Sequence, residues 1–187
     1  MNHLLERKIG TLKVFNIPFV GLKKVVHQFE YALDSSFFQE FENSPIEESA
    51  LEVFLDFNKK HNFFELDFHI EGKVKSQCDR CSDEFFLKID LDDQAIIKLA
   101  NLEKISKESD LDILTIPLDS SAVNIAHLIY EIIVLSLPIR KNCDENGIGD
   151  KKCNPTILEI LNKEQNQKEE TTDPRWEALL KFKKDNN

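Results

Sequence analysis

Residues 51–70 constrain the fold more than any other stretch. In LEVFLDF, Leu51, Val53, Leu55 and Phe57 alternate with charged or polar neighbours. After the polar turn NKKHN, the run FFELDFHI repeats the pattern with Phe64, Leu66, Phe68 and Ile70. Two runs of period two joined by a short polar turn make a β-hairpin with one apolar face. The same period recurs in VVHQFEYAL, where Phe29, Tyr31 and Leu33 alternate, and again at Phe85, Leu87, Ile89 and Leu91. Shorter strand candidates are Leu12 to Phe19, QAIIKLA and LDILTIP, the last two separated by the charged loop NLEKISKESD. Between the strands, DSSFFQEF offers an Asp or Ser cap and a brief helix.

Past Pro117 the period changes. In SSAVNIAHLIYEIIVLSL, Val123, Ile125, Leu128, Ile129, Ile132, Ile133 and Leu135 form a broad apolar stripe at helical spacing, with Ser120 or Ser121 as cap and Pro138 beyond its end. NPTILEILNKE predicts a shorter helix with Asn154 as cap and Pro155 at the first helical position. NKEQNQKEETT is polar and reads as a linker. It leads to DPRWEALLKFKK, where Asp173 caps, Pro174 opens and Trp176 contributes to an apolar face. The expected architecture is α+β. An antiparallel sheet of about six to eight strands packs with a long helix and shorter C-terminal helices, closed by a cysteine clasp. Residues 1–163 form the domain, 164–172 the linker and 173–187 the C-terminal helix.

Four cysteines fall in two pairs: Cys78 and Cys81 as C-x2-C, then 61 residues, then Cys143 and Cys153 as C-x9-C. A C-x2-C turn presents two thiolates from one tight knuckle, and tetrahedral zinc wants four such ligands. Nine residues is long for the second pair, but Gly147 and Gly149 let that loop double back. Two other readings stand beside zinc. A redox pair would open a helix after a strand, whereas this C-x2-C sits between two strands. Small buried cysteines without chemistry are the plainer alternative.

The chain of 187 residues is 41% hydrophobic and 31% charged, with a net charge of −10. A protein that held RNA by its overall field would be basic. The start MNHLLERKIG has no signal-peptide core, and the longest apolar block, Ile132 to Pro138, is too short to span a bilayer. A soluble cytoplasmic protein is expected. His27, His61, His69 and His127 lack metalloprotease spacing, and there is no phosphate-binding glycine loop or nucleophile elbow. Asn124, His127 and Glu131 lie three and four residues apart, which predicts one solvated face of the long helix.

CDRC before an apolar strand, YEIIVLSLP running into a cysteine-bearing loop, CN before a helix and DPRW near the end carry a resemblance. Together they resemble the YceD-like family, the large ribosomal RNA subunit accumulation proteins of bacteria and plastids. GLKKVVHQFEYALDSSFFQEF is similar to the version in Bacteroidetes-type bacteria. The resemblance implies a role in making or keeping large-subunit ribosomal RNA and no enzymatic activity. It assigns Cys78 and Cys81 to the family's first pair. Glu131, Leu135, Leu137 and Pro138 match its E-x3-L-x-L-P helix end, and Asp173, Pro174, Arg175 and Trp176 its C-terminal signature. Ile139, Arg140 and Lys141 stand where many members have a second proline, and many relatives have histidine at the position of Cys143.

Two routes to ribosomal RNA follow. One is a local basic surface made by Lys73, Lys75, Arg80, Arg140, Lys141, Lys151 and Lys152 converging with the cysteines. The other is contact between the acidic body and a basic ribosomal protein or assembly factor. No membrane contact or small-molecule substrate is expected. A thiol-redox or metal-dependent enzyme acting through the cysteine pairs is the alternative function.

Overall fold

The 51–70 hairpin is the centre of a five-stranded sheet with strand order β2-β3-β4-β5-β6. The structure, a computed structural model, describes residues 12–23, 25–101, 113–149 and 152–167. Strand β3 (Ser49–Lys59) pairs antiparallel with β4 (Phe63–Gln77) in a register that sets Val53 against Ile70 and Leu55 against Phe68. Val53, Leu55, Phe57, Phe64, Leu66 and Ile70 are at most 1% exposed. Each such burial contributes about 1.5–3 kcal/mol relative to exposure. β2 (Val26–Asp34) extends the sheet on one side, and Asp34 then caps helix α1 (Ser35–Gln39) by accepting the Ser36 N–H, as the sequence predicts.

Gly72 sits in β4 opposite Leu51 with φ at 136°, and a Cβ there would lie 2.3 Å from the Ala50 carbonyl oxygen. Only glycine allows this close approach. It lets β4 follow β3 around the core and continue to the cysteines.

Three expectations are corrected. First, the strands do not make one sheet of six to eight. QAIIKLA is the second half of a 17-residue β5 (Glu84–Ala100), which pairs with β4 along the latter's full length. One phase carries Phe85, Leu87, Ile89, Leu91, Ala95, Ile97 and Leu99, interrupted only at position 93, while the strand itself runs unbroken. The acidic DLDDQ stretch hides that continuity because Asp93 takes an inward-phase position opposite Phe68. Second, the sheet is mixed rather than antiparallel, because β6 (Ile113–Pro117) joins β5 in parallel.

Third, the long helix is short. Ala122–Asn124 forms β7, paired with β1 (Asn16–Pro18) in a separate two-stranded sheet, and α2 covers only Ala126–Ser136. The Val123–Ile17 pair is buried there. The Asn124 side chain donates to the Leu12 carbonyl and the Asn16 side chain and accepts the Ala126 N–H. Asn124 therefore starts the helix from outside it, replacing Ser120 or Ser121, and does not share the His127–Glu131 face. The expected strand from Leu12 to Phe19 is likewise a 3-10 turn (Leu12–Phe15) followed by the three residues of β1.

Ile129, Ile132 and Ile133 bury α2 in the core, and Tyr130 stacks on Phe41 with ring centres 3.9 Å apart. Helix α3 (Pro155–Gln167) begins as expected, with the Asn154 side chain accepting the Thr156 N–H. Residues 168–172 and the DPRW segment lie outside the described residues. No helix among the described residues is long and apolar enough to cross a membrane.

Candidate metal centre

The end of β4, the start of β5 and the chain leaving α2 meet at the cysteines. Cys78 and Cys81 occupy the connection between β4 and β5. The turn is closed by the Cys78 N–H donating to the Asp83 carbonyl and the Ser82 N–H donating to the Cys78 carbonyl, both at 2.9 Å. Ser82 takes a positive φ of 59°. After α2, Leu137 and Pro138 turn the chain towards this knuckle. The Asp79 N–H donates to the Lys141 carbonyl (2.8 Å), and the Lys141 N–H donates back to the Asp79 carboxylate (2.7 Å). Arg80 bridges to Asp144 at 3.0 Å.

The nine residues between Cys143 and Cys153 have a structural use. The Asn142 side chain donates to Glu145, and its N–H donates to the Asn146 side chain, folding the loop back on itself. Gly147 then bridges to Leu87 on the free edge of β5, and the Ile148 N–H donates to the Phe86 carbonyl at 3.0 Å. A Cβ on Gly147 would lie 2.3 Å from the Cys143 carbonyl oxygen, so this return requires glycine. Asp79 and the Asn142–Gly147 turn position the site; the sequence reading named Gly147 as a point where the loop doubles back but did not single out Asp79 or Asn142. Their signal was present as Asp, Asn and Gly beside the cysteines.

All four sulfurs come together. Cys78, Cys81, Cys143 and Cys153 are 1%, 5%, 0% and 4% exposed, and their Sγ atoms lie within 4.8 Å of one another. Cys143–Cys153 is 3.4 Å, Cys78–Cys153 3.7 Å and Cys81–Cys143 3.8 Å. Disulfides require about 2.0 Å. A tetrahedron with zinc–sulfur bonds of about 2.3 Å has sulfur–sulfur edges of about 3.8 Å. The cluster has the size of a four-thiolate metal site, and all four cysteines named from the sequence belong to it.

The electrostatics make one thiolate easy and several hard. Burial alone would raise the Cys78 thiol. The N–H groups of Cys143, Cys81 and Arg80 and the Cys81 side chain donate to its sulfur and bring it down to about 6. Burial raises Cys143, and the neighbouring Cys78 and Cys81 sulfurs raise it further against a lowering contact from Cys153. Cys153 is raised by burial and by all three other cysteines. Crowded thiolates in a buried site need a cation to neutralise them.

The basic residues are less convergent than the sequence suggests. Lys75 pairs with Glu84 (2.9 Å) and Glu48 (3.7 Å). Lys73 projects onto the outer sheet face, 4.9 Å from the centre of the Phe86 ring. Arg80 and Lys141 sit at the knuckle, Arg80 with its guanidinium paired to Asp144 and Lys141 held to Asp79 through its backbone N–H alone. Arg140 and Lys152 are exposed, and Lys151 lies outside the described residues. Glu131 is exposed on α2 with His127 Nδ1 at 3.4 Å, which bears out its solvated position. Pro138 follows the helix end.

The fold and the site thus define an α+β protein in which four thiols clasp the β4–β5 connection to the chain that follows α2. Residues 66–183 match the family described as Large ribosomal RNA subunit accumulation protein YceD. The match covers well over half of the chain and includes every cysteine, and the protein belongs to this family. It begins within β4, so β1 to β3 precede it. A search of the curated proteins and of the solved structures gives no significant match.

Proposed function

We propose that this protein is a non-catalytic factor in biogenesis of the large ribosomal subunit. It would act in the bacterial cytoplasm and be needed for synthesis, processing or accumulation of large-subunit RNA. We further propose that Cys78, Cys81, Cys143 and Cys153 hold a structural zinc ion. Family membership carries the first statement, and the four-sulfur geometry supports the second. Four protein ligands close the coordination shell, as in structural zinc sites, whereas catalytic sites keep a position open. The ion would supply folding free energy, with the Cys78 N–H donors orienting the first thiolate. The thiol-redox alternative is less well supported, because its sulfurs are buried away from any partner disulfide.

Of the two routes to RNA, contact through a protein is the better supported. Lys75 and Arg80 are already paired with carboxylates, and Asp79 and Glu84 stand among the remaining cations. Arg140, Lys141 and Lys152 remain without an ion pair among the described residues, so a phosphate backbone would meet at most three unpaired cations there, within a chain of net charge −10. The experiment is depletion of the protein in cells, followed by the ratio of large- to small-subunit RNA and mild-salt affinity purification. A fall in that ratio, with large-subunit proteins co-purifying, is expected. An unchanged ratio sinks the proposed role. Tight binding of the isolated protein to a naked large-subunit RNA fragment, lost in Lys75→Gln/Lys141→Gln/Lys152→Gln, would replace the protein route with the direct one.

A further inference from the structure

The two edges of the five-stranded sheet are finished differently. A strand edge presents unpaired N–H and C=O groups to any other extended chain. Folded proteins ordinarily blunt it with short strands, proline, inward charges or a covering loop. The β5–β6 side uses all of these. β6 has five residues and ends on Pro117. Before β6 joins, Asp93 stands at an inward-phase position of β5, and nearer the clasp the Gly147–Ile148 turn covers the edge at Phe86 and Leu87.

β2 uses none of them. Its nine residues pair with β3 in one unbroken register, from Val26 opposite Asn58 to Asp34 opposite Ala50, without a bulge. The strand VHQFEYALD contains no proline or lysine, and its inward phase is His27, Phe29, Tyr31 and Leu33. From Val26 to Leu33, no backbone group bonds to anything but β3 among the described residues. The core is also incomplete along this margin. Leu33 is 2% exposed, whereas His27, Phe29 and Tyr31 are only half-buried. Phe29 lies nearly parallel to Tyr31, with ring centres 6.5 Å apart. One more strand would finish both the open edge and the half-covered aromatic row beneath it.

We propose that β2 is a homodimer edge, to which a second copy of this chain adds its own β2 antiparallel about a two-fold axis at Phe29. A two-fold interface has to be self-complementary, and residues opposite one another must share a face of the sheet. Centring on Glu30 sets that carboxylate against its copy, which is destabilising. Centring on Tyr31 runs the partner strand into the start of α1 at Ser35, and centring on Gln28 shortens the ladder to Val26–Glu30. Centring on Phe29 avoids all three faults. On the outer face it sets the Gln28 amide opposite the partner's Glu30. On the inward face it sets His27 opposite the partner's Tyr31 and brings the two Phe29 rings together over the half-covered row. A foreign strand would gain the same backbone bonds without this matched pairing of side chains. The paired stretch, Val26 to Ala32 on each chain, is short for an interface, so dissociation in the micromolar range is expected. The inference stands apart from the ribosomal role.

The test is sedimentation velocity of the full chain from about 1 to 200 µM, where a concentration-dependent dimer is expected. Gln28→Glu opposes two carboxylates at both symmetric positions and should weaken association by about fivefold. Gln28→Lys, facing the partner's Glu30, should tighten it by about threefold. Gln28→Glu/Glu30→Lys opposes unlike charges again and should recover at least the wild-type affinity. Glu47→Gln, at an exposed site elsewhere, changes net charge by the same unit as Gln28→Lys and should move association less than about twofold. Phe29→Lys puts a charge on the inward phase of the edge and should leave a monomer. Should that variant fail to fold, the Gln28 variants decide. Amide hydrogen exchange on wild type should show protection of residues 26–32 rising with protein concentration. A monomer throughout the range, a dimer indifferent to Gln28→Glu and Gln28→Lys, or concentration-dependent protection confined to other strands overturns the proposal. So does a wild-type monomer that dimerises only once residues 1–11 are removed, which would give the edge to the chain's own N-terminal segment.

Discussion

The cysteine clasp and the outer sheet face both gather groups that repel one another when ionised, yet they do so in opposite surroundings. In the clasp four sulfurs are buried within 4.8 Å of one another, where no water screens charge. On the sheet face the carboxylates of Glu52, Glu71 and Asp90 are opposed across three strands but exposed. Water lowers each exposed repulsion to about 1 kcal/mol at contact distances, while burial multiplies it several-fold. The clasp therefore has to be resolved within the fold, by protons or by a cation. The face can stay charged because water screens it. Like groups brought together have to be neutralised within the fold in one place and are tolerated by solvent in the other.

The largest effect should come from the buried side. Cys78→Ser/Cys81→Ser is expected to lose bound zinc, measured by elemental mass spectrometry, and to lower stability by several kcal/mol. Structural zinc in zinc-finger peptides supplies about 10–16 kcal/mol of apparent binding free energy. A metal-free native protein whose double variant melts like wild type would break the comparison at its root. Gly147→Ala sharpens it, because the added Cβ has to displace the Cys143 carbonyl. We expect about 1–3 kcal/mol of destabilisation by calorimetry and faster loss of zinc to a chelator. Zinc retention like wild type would show that the β5-edge contact does not hold the clasp.

The smallest effect belongs to the exposed side. The hydrogen bond that His69 Nδ1–H donates to the Asp92 carboxylate at 2.8 Å holds His69 above the ordinary histidine pKa, with the charges of Asp92, Glu71 and Asp90 adding to the rise. The protonated imidazole is thus favoured in the folded state. Its contribution is fully present below the unfolded histidine pKa and is lost as pH rises through the raised folded value. His69→Gln should flatten that small dependence in urea midpoints taken across about pH 5–8. Identical pH profiles would mean that water already screens the whole row.

The sequence by itself determined which residues face inward, the caps at Asp34 and Asn154, the acidic balance and the pairing of cysteines into two sets. Periodicity and capping chemistry are local, so a single chain displays them. Tertiary structure alone decided that β5 runs unbroken through DLDDQ, because a strand's length is set by the neighbour it pairs with, here the 15-residue β4. Pairing of Val123 with Ile17 likewise took Ala122–Asn124 out of the helix. The long gap between the cysteine pairs closed only because α2 ends beside the β4–β5 turn. Alternation names a face but not a register, and register is what set Glu52, Glu71 and Asp90 in one rank. Contacts between distant segments depend on what the rest of the chain packs against, which no local pattern carries.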